Sequence, residues 1–176
     1  RAVAAADAVD RVAARSARSV VPTRNPANSL AIRLAGRPVL LMANGRTLGP
    51  AAVRWKGQLN ENAKHMAWVS LLPESNHNEV DGFVHPRPLL DELAAVFLRD
   101  PHDHPRVQAR FEWLGRYLRR KGVAVETVAP KGDDAMERLL ACVAMGDFVS
   151  YYLALRNGMD PSALPGVESL KKALRA

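Results

Sequence analysis

Two side chains suited to proton transfer, Glu61 and His77, stand sixteen residues apart, each inside a dense polar cluster. The first cluster is Gln58-Leu-Asn-Glu-Asn-Ala-Lys-His65, and the second is Leu72-Pro-Glu-Ser-Asn-His-Asn-Glu-Val80. A carboxylate can take and return a proton and an imidazole titrates near neutral pH, so the pair fits general acid–base chemistry. Between them runs an apolar, strand-like segment, Met66 to Leu72, followed by Pro73 and Ser75-Asn76, residues that favour a turn. A tight turn there is expected to carry His77 back past Glu61. Any one of Asn60, Asn62 or His77 by itself reads as a residue capping a helix end. It is the crowding of such residues at both ends of one strand that points to chemistry.

The remaining composition narrows the choice. The chain has 176 residues, 48% hydrophobic and 24% charged, enough for one domain with a full core. No run of about 18 apolar residues is present to span a membrane. The net charge of +7 favours anionic partners, sugar phosphates among them. Its densest cluster, Arg106, Arg110, Arg116, Arg119, Arg120 and Lys121, reads as the solvated face of a helix and not as a nucleic-acid surface. The single cysteine, Cys142, lies in an apolar helical run and reads as a buried, inert thiol compatible with a reducing cytoplasm.

Three further motifs read as ordinary structure. His102-Asp-His104 lacks a third ligand and is expected to be surface, so no metal is expected. Ser75 with His77 lacks the Gly-x-Ser-x-Gly setting of a nucleophile elbow. Asn44-Gly-Arg-Thr-Leu-Gly49 ends at a helix start, where a phosphate can sit, but it matches neither the dinucleotide nor the Walker pattern. A plain strand-to-helix turn is expected there, and no cofactor.

These residues need positioning elements, and the hydrophobic pattern supplies them. Four short apolar runs, Val39 to Ala43, Met66 to Leu72, Ala94 to Leu98 and Val123 to Val128, recur at a spacing of roughly 28 residues. Helices fit at about 50–64 and 104–120, and a long one from Asp133 to Asn157 should turn Leu139, Leu140, Val143, Met145, Phe148, Val149 and Leu153 inward. A short helix is expected after His77, followed by an irregular stretch at Pro86-Arg-Pro88. Asn25-Pro26 reads as a helix cap and first residue, with Gly36 just past the helix end. The fold class is therefore α/β, a three-layer α-β-α sandwich around a mainly parallel, flavodoxin-like sheet. Residues 2–18 read as a weakly amphipathic helix with Val3, Ala6, Val9 or Ala13, Val12 and Ala14 as its apolar positions. Residues 1–19 are read as a linker from a further part upstream, and 20–176 as the domain.

Leu59-Asn-Glu-Asn-Ala-Lys64 and Leu72-Pro-Glu-Ser-Asn-His-Asn-Glu-Val80 resemble the two signature segments of the bifunctional phosphoglucose/phosphomannose isomerases of the sugar-isomerase (SIS) superfamily. Arg54-Trp55 resembles that family's Arg-Trp pair. The tail from Met159-Asp-Pro-Ser162 to Leu170-Lys171-Lys-Ala-Leu174 resembles its ending. The resemblance covers about residues 20–175 and implies the C-terminal SIS domain of an enzyme that interconverts aldose and ketose hexose 6-phosphates through an enediol. It assigns the base to Glu61 and ring opening to His77 with Lys171, Lys172 being the neighbour open to confusion. Arg54, Asn60, Asn76 and Ser162 are implied substrate-binding residues. The phosphate is implied to be held by serine and threonine residues of a first SIS domain, and His77 to act in the partner subunit's site, hence a cytoplasmic homodimer. A regulatory SIS module that binds a sugar phosphate without catalysis is the alternative.

Overall fold

The computed structural model describes residues 2–175. Its helices are α1 (Ala2–Ser16), α2 (Pro26–Leu34), α3 (Gly49–Glu61), α4 (Ser75–Asn78), α5 (Arg87–Glu92), α6 (Pro105–Arg120), α7 (Ala135–Arg156) and α8 (Pro165–Ala173). Its strands are β1 (Val39–Asn44), β2 (Ala67–Leu72), β3 (Ala94–Leu98) and β4 (Ala124–Val128). All strand pairs are parallel in the order β2-β1-β3-β4, with Val39 opposite both Ala67 and Ala94, and Ala94 opposite Ala124. The expected runs all became strands, and the unbroken apolar runs of β1 and β3 take the two central positions, where helices cover both sheet faces. One face packs α1, α2, α3 and α7 around Leu34, Leu41, Trp55 and Leu153, and the other packs α5 and α6 around Met42, Phe97, Phe111 and Leu118.

Local signals read correctly at α2. The Asn25 side chain accepts from the Asn28 amide at 3.0 Å, Pro26 opens the helix, and Gly36 takes φ +74° beyond its end. Two local readings fail. Pro86-Arg-Pro88 is not irregular but enters α5, because proline in a first helical turn gives up no hydrogen bond there. The short helix at His77 starts before it, at Ser75.

The buried face of α7 also differs from expectation. Val149 and Leu153 are buried as read, and Leu139, Val143, Met145 and Phe148 pack against the core while only half-buried, whereas Leu140 is half-buried outside it. The inner face is made of Ala141, Cys142, Ala144, Gly146, Ser150 and Ala154. Small residues win because three helices, α1, α2 and α3, lie against α7, and short side chains allow close approach. Likewise α1 lies along α7 through Ala5, Ala8 and Ser16, leaving Val3, Ala6 and Ala14 exposed. Arg11 reaches Glu137 at 3.6 Å, and the Tyr152 hydroxyl donates to Ser16 O at 2.7 Å. By length and composition α7 is apolar enough to cross a bilayer, yet here it is the centre of a packed helical layer.

Between α3 and α7, Trp55, fully buried, crosses Gly146 and donates its Nε1–H to Cys142 O at 2.7 Å. A Cβ on Gly146 would fall 2.4 Å from that Nε1. Gly146→Ala should therefore force α3 off α7 and lower stability by about 1–3 kcal/mol. A urea melt with unchanged midpoint would show that the contact yields more easily than the packing implies.

Candidate active site

Glu61 is the last residue of α3, and the turn after it is braced at nearly every polar side chain. Asn60 Nδ2 donates to Lys56 O at 2.8 Å and Ala67 O at 3.2 Å. Asn62 Nδ2 donates to Ser150 Oγ at 3.0 Å. Lys64, at φ 50°, is a left-handed residue with a side chain, a conformation that costs roughly 1–2 kcal/mol. Its Nζ donates to Asn62 O at 3.3 Å and Asp160 O at 2.5 Å, which holds the turn in that conformation. Asn157 Nδ2 donates to Ala63 O at 2.9 Å and lies 3.2 Å from His65 Nδ1, so Nδ1 must accept. The His65 proton is then on Nε2, donating to Arg37 O at 2.6 Å. Glu61 alone in this turn is exposed and has no hydrogen-bond or ion-pair partner among the described residues. A rigid turn thus presents one free carboxylate.

Arg54 precedes Glu61 by two helical turns, on the same side of α3 and about 10 Å away. Its guanidinium lies 3.6 Å from Asp147, with both side chains more than half exposed, so the pair adds little stability. Burial pushes the Asp147 carboxyl above its usual range, and Arg54 opposes that shift. Arg54, Gln58 and Asn62 form one row four residues apart along α7, the outer two meeting Asp147 and Ser150. Gln58 between them is 3% exposed, and neither amide atom has a partner. Sequence reading passed over Gln58, although a glutamine in step with Trp55 on the inner helix face was a visible signal.

The C-terminal tail leaves α7 on the Glu61 side. Asp160, whose carbonyl takes the Lys64 ammonium, also accepts the Ser162 amide at 2.8 Å. Ser162 therefore sits beside the braced turn. Lys171 and Lys172 ride on α8, which buries no residue and leaves Val167, Leu170 and Leu174 exposed along one stripe.

His77 and Asn76 lie elsewhere. The segment after α3 enters β2 at the N-terminal end of the strands, and α4 follows at their C-terminal end, so the whole strand separates Glu61 from His77. Six residues of parallel strand span about 17–20 Å. The expectation that the turn returns His77 past Glu61 is overturned, because each strand of a parallel sheet is entered at one end and left at the other. His77 is exposed, while Ser75 Oγ and Asn76 Oδ1 are enclosed without partners. Ser70 Oγ holds the loop by donating to Glu79 at 2.5 Å.

The crevice between β1 and β3, where the strand order reverses, is the usual ligand position in such sheets. Here it is closed. Asp103, between two exposed histidines, is itself buried and accepts from Asn44 Nδ2 at 2.7 Å and Thr47 Oγ1 at 2.9 Å. Its neighbour Asp100 accepts Arg138 Nε at 2.8 Å and the His102 amide at 2.8 Å, the ion pair being almost wholly buried. A phosphate at the Asn44–Gly49 turn would meet the Asp103 carboxylate. Cys142, buried beneath this edge, has its thiol pushed up to about 12 by burial, with the Asp100 charge adding to the shift.

The four-stranded parallel sheet between helical layers is an SIS-type α/β domain, and it superposes on solved structures of that kind. A glucose-6-phosphate isomerase like protein from Thermus thermophilus matches with TM-score 0.78 at 23% identity, over 90% of this chain and 53% of that one. The chain belongs to the family of bacterial phospho-glucose isomerase C-terminal SIS domains, whose model matches residues 23–174. The bifunctional phosphoglucose/phosphomannose isomerase of Aquifex aeolicus is 36% identical over 124 residues, 70% of this chain and 38% of that protein. The enzyme of the same name from Caldicellulosiruptor bescii is 30% identical over 151 residues, 86% of this chain and 44% of that protein. The chain thus spans less than half the length of these relatives.

Proposed function

We propose that this chain supplies the acid–base residues of an isomerase converting glucose 6-phosphate or mannose 6-phosphate to fructose 6-phosphate. The observation that carries the reading is Glu61, an unpaired, exposed carboxylate on a turn whose polar neighbours are engaged in holding it. In the open-chain aldose, Glu61 removes the proton from the second carbon. The enediol forms as the carbonyl oxygen takes a proton from water, and Glu61 returns its proton to the first carbon while the second-carbon hydroxyl gives its own proton back to water. Glu61 is the base for the carbon-to-carbon transfer, and water carries the oxygen-bound proton. Arg54, on the same helix side, steadies the negative charge of substrate or enediolate, with Asn60 and Ser162 beside the turn.

Ring opening falls to His77 of a second copy, together with Lys171. The strand-length separation of Glu61 and His77 within one chain supports this arrangement, since one hexose cannot bridge about 17–20 Å. The edge strand β2 supports it too, for it exposes Trp68 and Leu71 and carries no charged side chain, an edge that needs a cover. The intact protein is accordingly read as a cytoplasmic homodimer. Solvent deuterium should enter the second carbon of glucose 6-phosphate during turnover by the intact protein, and isomerisation without any exchange would count against an enediol.

The alternative is a regulatory sugar-phosphate module without catalysis, and in both readings Asp103, bonded to Asn44 and Thr47, occupies the place where a phosphate cradle would lie. Both readings place the phosphate-gripping groups outside this chain. Residues 1–19 are proposed as the link to that part. The 176-residue chain alone should therefore turn over fructose 6-phosphate at least ~10²-fold more slowly than the intact protein, because an ungripped sugar loses its orientation. Comparable turnover by the isolated chain would place the phosphate site within it.

A further inference from the structure

Beside the His77 loop, a cleft of about 400 Å³ opens between α4 and α6, lined by Asn76, Arg106, Ala109, Arg110 and Trp113. Every side-chain polar group in that lining is a hydrogen-bond donor or an enclosed atom. Neither Arg106 nor Arg110 has a side-chain partner among the described residues, and no carboxylate lines the cleft. Asn76 has its Oδ1 enclosed, leaving the amide N–H groups as the free arm. Two guanidinium groups one helical turn apart and an amide donor form a fork that suits a phosphate dianion.

The same helix face carries a stack. Lys121 Nζ lies 5.3 Å from the Tyr117 ring, and Tyr117 lies flat against Trp113 with centroids 5.0 Å apart and planes at 11°. These residues fall four apart, so they climb one side of α6 as a single row. The next member of the row is Ala109, a methyl that lines the cleft beside the Trp113 indole, itself 45% exposed. A flat ring laid over Ala109 would continue the stack, with Arg106 and Arg110 flanking it.

We propose that this cleft binds a purine nucleoside monophosphate, the base stacked on Trp113 and the phosphate held by Arg106, Arg110 and the Asn76 amide. The ligand would bridge α6 to the loop that bears His77, so the site is a place from which ring opening can be tuned. The binding itself does not rest on the isomerase reading, since its readout is binding; only the tuning of ring opening does.

The probe is adenosine 5′-monophosphate titrated calorimetrically into the intact protein, with adenosine and inorganic phosphate as its separate halves. Saturable binding is expected, each half binding roughly tenfold or more weakly. The double variant Arg106→Gln with Arg110→Gln, and separately Trp113→Leu, should each weaken binding roughly tenfold while circular dichroism stays parental, because all three positions are exposed. No binding at millimolar nucleotide overturns the proposal, and so does an affinity that none of the variants changes. Nucleotide binding that is lost in the arginine double variant but unchanged in Trp113→Leu would remove the base from the site and overturn it equally.

Discussion

Glu61→Gln in the intact protein is expected to lower kcat for fructose 6-phosphate by about 10²–10⁴-fold, the range that a positioned general base contributes. The substitution is unusually clean. Glu61 is exposed and makes no hydrogen bond or ion pair among the described residues, so the amide inherits the position without disturbing the turn. Asn60, Asn62, Lys64 and His65 hold that turn by bonds that do not involve Glu61. The melting temperature should therefore stay parental and KM should change little, while exchange of the second-carbon proton with solvent falls together with kcat. Exchange persisting at the parental rate would assign the base elsewhere.

Arg138→Met is expected to act on the fold and not on the chemistry. The guanidinium is the partner of Asp100, whose side chain is 2% exposed, and it also donates to Gly132 O at 3.1 Å, tying the loop before α7. Removing one member of a buried pair leaves the other charged and desolvated, which costs about 3–5 kcal/mol. For a domain of this size that corresponds to a fall in Tm of roughly 6–20 °C. The sign of the cause is testable in the same experiment. Adding Asp100→Asn to Arg138→Met removes the stranded charge and keeps the acceptor for the His102 amide, so part of the loss should return. A double variant no more stable than Arg138→Met would mean that lost packing, and not the stranded charge, sets the penalty.

The elements were legible where their causes are local. Val39 to Ala43 and Ala94 to Leu98 became central strands because unbroken apolar runs between turn residues have nowhere else to go, and Asn25 and Gly36 act through their own backbones. What escaped depends on residues distant in sequence. Hydrophobicity ranks Leu139 and Phe148 above Ala141 and Gly146, but the distance between α3 and α7 is set by Trp55, roughly ninety residues away, and it selects the small ones. Asp103 sits in the sequence between two surface histidines, and only the meeting of the β1 and β3 ends reveals its burial against Asn44 and Thr47. The site divides in the same way. Glu61 and His77 are recognisable as residue types, and the turn residues at Pro73 suggest that they meet. A parallel sheet dictates the opposite, since a whole strand between two groups holds them apart.

Two inactive variants, Glu61→Gln and His77→Ala, mixed and allowed to exchange subunits, test whether these residues work together across a dimer. Random exchange of equal amounts makes about half the molecules heterodimers, each with one site that keeps both native groups. About a quarter of parental activity should return if the sites are independent. Complementation of this kind requires Glu61 and His77 to come from different chains, as their places at opposite ends of β2 imply. No recovery at all, with heterodimers confirmed by mass, would contradict the shared site.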